Sequence, residues 1–219
     1  MEILLSVEQV RILGALLEKE VTTPDYYPMT LNSLVNACNQ KSCREPVTAF
    51  DEGTVTFHLD ILRDEKRLVA LVAAADSRVP KFKQRITESI FFSSAERAIM
   101  TELMLRGAQT PGELRNRADR MHKFNGIDEV NATLKELETR PDGPWVVLLP
   151  RLTGHKEARY MHLLCGTPEV SREESGGDQI SVPSVSPTDR ISKLEEETVT
   201  LRKELDELRG QFAMFKSQF

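Results

Sequence analysis

The sequence predicts a mainly α-helical protein with small β-hairpins, in which one short unit is used twice in tandem and a long helix follows. Three observations carry this. Val55, Leu59 and Leu62 are spaced four and three apart, and Val130, Leu134 and Leu137 repeat that spacing 75 positions later. Each triplet follows an acidic start (Asp51 and Glu52; Asp128 and Glu129) and leads into an apolar run (Leu68 to Ala75; Trp145 to Leu149). Beyond Asp189 the apolar residues change to a four-three alternation, the mark of a helix seam.

The elements follow in order. Ser6-Val7-Glu8-Gln9 has the pattern of a capping box, with Ser6 as N-cap and Gln9 reaching back. Ile12, Leu13, Leu16 and Leu17 then form an apolar stripe at helical spacing. Ser93-Ser94-Ala95-Glu96 repeats the box, and Ile99, Met100, Leu103 and Met104 repeat the stripe at a constant offset of 87. The second helix begins at Thr30, with Leu31, Leu34, Val35 and Cys38 inward. Its counterpart begins at Thr110, with Pro111 at the first helical position and Glu113 completing a box. The offset here is 80, because Glu18 to Met29 is a long, Pro-containing connection and Arg106 to Gln109 a short one. The third helices carry the triplets. After each comes a candidate strand pair: Leu68 to Ala75 with Phe82 to Thr87, and Trp145 to Pro150 with Tyr160 to Leu164. Three helices followed by a hairpin is the winged-helix form of helix-turn-helix. The expected layout is therefore a winged-helix domain at 1–90, a second at 91–166, a flexible linker at 167–189 and a coiled coil at 190–219.

The tail is the most regular segment. Ile191, Leu194, Thr198, Leu201, Leu205, Leu208, Phe212, Phe215 and Phe219 occupy alternate a and d positions, with only Thr198 polar. In a parallel dimer the g-to-e pairs are Arg190 with Glu195, Glu197 with Arg202 and Glu204 with Arg209, all opposite in sign. Each exposed pair is worth only about 0.3–0.5 kcal/mol, so they select register while the seam supplies the energy. The expected dimer interface is Ile191, Leu194, Leu201, Leu205, Leu208, Phe212 and Phe215. A helix folded back on its own domains is the alternative.

Composition narrows the function. The net charge is -5, so no bulk positive field draws the whole chain to nucleic acid, and any such surface is a local patch. Three cysteines without a C-x-x-C argue against a disulfide framework and a zinc site, and point to reduced thiols in the cytoplasm. Met1 to Leu5 is too short and too acidic for a signal peptide, and no apolar stretch approaches the ~20 residues that span a bilayer. His58, His122, His155 and His162 fall in no ligand spacing, and no phosphate loop, dinucleotide fingerprint or nucleophile elbow occurs. The expectation is a non-enzymatic protein without cofactor or metal.

The segments Val10 to Lys19 (VRILGALLEK), Thr22 to Leu31 (TTPDYYPMTL) and Ala37 to Ser42 (ACNQKS) resemble the YceH-like family of bacterial proteins of unknown function. The resemblance covers about residues 1–166. It implies two tandem winged-helix domains and brings no catalytic residues. Where many relatives have Asn after Lys-Ser, this chain has Cys43.

Two kinds of partner remain. Helix-turn-helix proteins present the start of the third helix to base edges, but here Asp51, Glu52, Asp128 and Glu129 stand there and repel phosphates. Basic residues gather elsewhere: Arg78, Lys81, Lys83 and Arg85 on the first hairpin, Arg115, Arg117, Arg120 and Lys123 on the second helix of the second unit, and Arg151, Lys156 and Arg159 on the second hairpin. These are the candidate contacts to the phosphates of double-stranded DNA. The amide-rich stretch Asn32, Asn36, Asn39, Gln40, Lys41 and Ser42 either reads adenine edges, satisfies backbone of the Thr22 to Met29 loop, or meets a protein. The competing expectation is a protein–protein scaffold that uses the winged-helix faces and the coil, with no nucleic acid.

Overall fold

In a computed structural model, which describes residues 3–72, 79–151 and 157–167, the chain is mainly helical with two small antiparallel sheets. The expected linker beyond Thr167, the whole coil with its seam residues, Arg78, His155 and Lys156 lie outside the described residues. Helix α1 (Val7–Thr22) starts at the Ser6 capping box, both bonds of which form. Strand β1 (Met29–Thr30) precedes α2 (Leu31–Cys38), which Thr30 caps through the Ser33 N–H. Helix α3 (Glu52–Asp60) starts at Asp51, whose carboxylate accepts the Thr54 N–H at 2.6 Å. It runs on into a wider π-type turn, Ile61–Glu65, closed by the Lys66 N–H on the Ile61 carbonyl. Arg67 then takes φ 58° and the Leu68 N–H returns to the Leu62 carbonyl, a closure one residue wider than the usual six-to-one bond because the turn before it is π-type; the left-handed residue is ordinarily glycine. Strands β2 (Val69–Val72) and β3 (Lys81–Gln84) and the short helix α4 (Ile86–Ser89) complete the first half.

The second half repeats the order. Helix α5 (Ser94–Arg106) begins at the Ser93 box and α6 (Pro111–Ala118) at the Thr110 box, both fully formed. Helix α7 (Ile127–Thr139) and strands β4 (Val146–Leu148) and β5 (Tyr160–His162) follow. Both triplets are core: Val55, Leu59, Leu62, Val130, Leu134 and Leu137 are all buried.

One strand has no counterpart in the sequence pattern. The first sheet has the order β1-β3-β2, with Met29 opposite Phe82 and Thr30 opposite Lys81. The second half keeps a remnant of the same pairing, a bridge in which Gln109 and Tyr160 exchange both backbone bonds at 2.8 and 3.0 Å. Each half therefore pairs the residues just before its second helix with the returning strand of its hairpin.

The described residues all fall in one compact unit. Its buried apolar residues make one continuous cluster drawn from both halves. Every residue of α1 from Gln9 to Glu18 is buried, as is every residue of α5 from Ala98 to Leu105. Gly14 sits where these two helices meet: a Cβ there would stand 3.1 Å from both Leu105 Cδ2 and Met104 Cβ. Backbone bonds add ties between the halves, Leu5 N–H to Leu164 O and Glu45 N–H to Leu105 O. Among the described residues no helix is long and apolar enough to cross a membrane.

Candidate nucleic-acid interface

Burying α1 and α5 together takes two carboxylates out of water, and their neutralisation decides where several arginines go. Glu18 and Glu102 have no exposed side-chain surface. Glu18 takes a two-pronged contact from Arg44, at 3.1 and 2.5 Å, and a further ion pair from Arg120. Arg120 also reaches Glu102 at 3.2 Å, and Arg106 reaches it at 2.9 Å. Burial alone would raise the Glu18 pKa, but the Arg44 hydrogen bond and the charges of Arg44, Arg120 and Lys19 together hold it below its ordinary value. Glu102 lacks the two-pronged partner. Burial pushes it up against the pull of Arg120 and Arg106, and the charge on Glu18 adds to the push.

This network engages one sequence candidate: the Arg120 guanidinium pairs with Glu18 and Glu102, although 34% of its side chain stays exposed. Two others are held close to the body. Arg117 donates to Gln109 Oε1 at 2.8 Å and pairs with Glu113 at 3.3 Å. Arg159 donates to the Ala108 carbonyl at 2.8 Å and pairs with Glu113 at 3.1 Å, which fastens the second hairpin to the start of α6. Arg115, Lys123 and Arg151 are exposed.

The first hairpin is different. Along β3 the burial alternates, with Phe82 and Gln84 inward and Lys81 and Lys83 on the outward face, where Arg85 continues the two-residue period. Strand geometry puts these cations about 7 Å apart in a row. Glu88 neutralises part of the row, accepting from Lys83 Nζ at 3.4 Å and Arg85 Nε at 2.7 Å, and Arg85 leads in holding its carboxyl below the usual range. The inward side is anchored firmly. The Gln84 N–H donates to the Tyr27 hydroxyl at 2.7 Å, and the Gln84 amide donates to Glu20 at 2.9 Å and Thr87 at 2.8 Å. Burial pushes the Tyr27 phenol up, so it stays a neutral partner.

The third helices carry one cation each, set among more carboxylates than it can offset. The one arginine of the α3 segment, Arg63, is paired with Asp60 at 3.0 Å and Asp64 at 2.6 Å. The one basic residue of α7, Lys135, is paired with Glu138 at 2.8 Å. Asp51 is engaged as a cap, and Glu129 closes the turn before α7 by accepting from the Asn125 N–H at 2.7 Å and the Asn125 amide at 2.9 Å. The exposed surface of α3 also carries Phe57, 63% exposed.

The amide-rich stretch divides in two. Asn39 is structural: its oxygen accepts from the Phe50 N–H and Thr48 hydroxyl, and its nitrogen donates to the Phe50 carbonyl at 2.7 Å. It closes the segment leading to α3 rather than the Thr22 to Met29 loop. Gln40 meets Lys19 at 3.4 Å. Asn32, Ser33 and Asn36 instead lie exposed on α2, where the Asn36 amide donates to Asn32 at 3.2 Å.

The histidines are dispersed. His58 stands 3.9 Å from Glu8, His122 bridges Ser94 and Glu129, and His162 is buried, with desolvation lowering it to about 4. Among the described residues no group of three His, Cys, Asp or Glu is placed to hold a metal ion.

Comparison with known proteins agrees with the resemblance seen in the sequence. The family model described as "Protein of unknown function, DUF480" matches residues 5–155. A UPF0502 protein of Geobacter sulfurreducens is 49% identical over 223 residues, covering 100% of both chains. A UPF0502 protein of Opitutus terrae is 49% identical over 90% of this chain and 83% of its own. The UPF0502 protein YceH of Salmonella newport is 46% identical over 93% of this chain and 95% of its own. With the family model matched across both repeated halves and full-length relatives at this identity, the chain belongs to the DUF480/UPF0502, YceH-like family of bacterial proteins.

Proposed function

We propose that the protein is a non-enzymatic tandem winged-helix protein of the cytoplasm that holds double-stranded DNA by its phosphates, as a regulator-like homodimer joined through residues 190–219. The observation that carries the DNA reading is the outward pair Lys81 and Lys83 on β3, continued by Arg85 just beyond the strand, on a hairpin whose other face is anchored to α1 through Gln84. A phosphate contact through the first hairpin fits the acidic third helices, which stay clear of the duplex. Of the second-unit candidates, Arg115 and Lys123 are exposed, whereas Arg117, Arg120 and Arg159 are paired with carboxylates of the fold.

Fluorescence anisotropy of the full chain on a random duplex tests the reading. Binding at low salt is expected to weaken steeply with added salt. Lys81→Ala with Lys83→Ala is expected to reduce the log–log salt slope by about 0.9 for each phosphate the protein no longer neutralises. No binding at low salt sinks it. The exposed Phe57 among acids on α3 favours a second reading, a protein–protein scaffold, which predicts that same absence of duplex binding. Light scattering on the full chain and on a chain ending at Thr188 tests the coil, and equal oligomeric states remove the dimer.

A further inference from the structure

We infer that α2, and not α3, is the helix that reads base edges, with Asn32 and Asn36 as the reading side chains; this rests on the DNA reading above. Three observations lead there.

The first is charge. Helix α2, Leu31–Cys38, carries no acidic or basic residue, whereas α1, α3, α5, α6 and α7 each carry carboxylates. A helix approaching a duplex has to pass between phosphates, and α2 does so without repulsion.

The second is placement. Thr30, the N-cap of α2, lies opposite Lys81 in the antiparallel pair β1–β3. Directly opposed residues in such a pair point to the same face of the sheet. The start of α2 is thereby continuous with the face that bears Lys81 and Lys83. A backbone seated on that row meets the beginning of α2 next, and Asn32, Ser33 and Asn36 are the exposed side chains it finds.

The third is chemistry. Asn36 and Asn32 are four apart, stacked on one side of the helix about 6 Å apart along its axis. Their mutual bond at 3.2 Å is exposed and ties up no backbone group, in contrast to Asn39, whose amide is consumed by Thr48 and Phe50. A paired exposed amide presents a donor and an acceptor together, the pattern that matches N6 and N7 of adenine in the major groove. The repeat offers an echo. At the offset of 80 that relates the second helices, Asn36 corresponds to Asn116, exposed on α6 beside the exposed Arg115.

The test is selection of preferred sites by the full chain from a randomised duplex pool, followed by anisotropy on the winner and on single-base changes. Ala is a good helix former and both sites are exposed, so Asn32→Ala and Asn36→Ala keep the fold, checked by circular dichroism. Each is expected to erase about 5- to 150-fold of discrimination at one base pair while the salt slope stays unchanged. Lys81→Ala is expected to do the reverse, lowering the slope and sparing the preference. Thr56→Ala on α3 is expected to change neither. Binding with no sequence preference, a preference that survives both Asn variants, or one that is lost in Thr56→Ala overturns the assignment while the DNA reading stands. Absence of binding to any duplex at low salt ends both.

Discussion

Replacing Arg44 by Met tests the buried charge network most directly. Arg44 and Glu18 each have no exposed side-chain surface, so the pair is fully desolvated. Met matches the arginine stem in volume and keeps the packing while removing two bonds to Glu18, one to Ala37 O and one to Cys43 O. A buried pair broken from one side costs about 3–5 kcal/mol, because the remaining charge is left uncompensated in low dielectric. Arg120 still touches Glu18, which places the expectation toward the lower end of that range. The assay is urea unfolding, followed by far-UV circular dichroism and by the fluorescence of Trp145, the one tryptophan of the chain. The pH dependence gives a second readout. In the native protein Glu18 lies below its unfolded value, so its stabilisation is present above that value and is lost as pH falls through the folded one. Without Arg44, Glu18 resembles Glu102, which is equally buried, shares Arg120 and is raised. Its contribution then reverses: the variant gains stability on acidification through the folded pKa of Glu18, relative to the native protein. Adding Glu18→Gln to Arg44→Met recovers part of the loss, since a neutral amide is cheaper to bury than a bare carboxylate. A loss under about 1 kcal/mol, the worth of an exposed pair, refutes the reasoning.

Other predictions follow from local geometry. Cys43 has φ 60° and Arg67 φ 58°, left-handed values that disfavour both residues. Cys43→Asn and Arg67→Gly are each expected to raise stability by about 0.5–1 kcal/mol, read as a higher melting temperature, and a fall in either disproves the strain. Gly14→Val inserts a branched side chain where even a Cβ stands 3.1 Å from Leu105 and Met104; a cost of about 1–3 kcal/mol is expected from chemical denaturation, and an unchanged midpoint refutes the close approach. His162 is lowered to about 4 by burial, so it favours the fold while neutral, and that contribution is lost as pH falls from its unfolded value through the folded one. His162→Phe is expected to flatten the acid side of the stability profile, by up to about 3 kcal/mol between pH ~6.5 and ~4; an unchanged profile shows that His162 does not control it.

The local part of this fold was legible because it is written in short-range chemistry. Ser6, Ser93 and Thr110 cap as their spacing to Gln9, Glu96 and Glu113 demands, and the two triplets are buried because four-three spacing defines one helix face. Strand β1 was invisible because two residues cannot display a period, and its partner Phe82 lies far from Met29 along the chain. The all-round burial of α1 was equally hidden. Its sequence carries an amphipathic stripe, yet Gln9, Arg11 and Glu18 are buried too, since α5 and the flanking loops cover what one half alone would leave wet. Among the basic residues, the pairing of Arg120 depends on where Glu18 falls, 102 positions away, and no local pattern reports that distance. The β3 row, by contrast, was present in the alternation of Lys81, Phe82, Lys83 and Gln84, and the absence of charge on α2 can be read directly from its eight letters.

The missing side chain at Gly14 carries a consequence for how far the two halves can be separated. A unit used twice can stand as two separable copies, each complete on its own. Here the first copy supplies a bare patch of backbone that the second fills with Leu105 and Met104, and a carboxylate that the second copy's Arg120 neutralises. Neither half covers its own first helix without the other. The halves share one core, so residues 1–90 expressed alone would leave Gly14 and its flank of α1 without the cover of Leu105 and Met104, and Glu18 without Arg120.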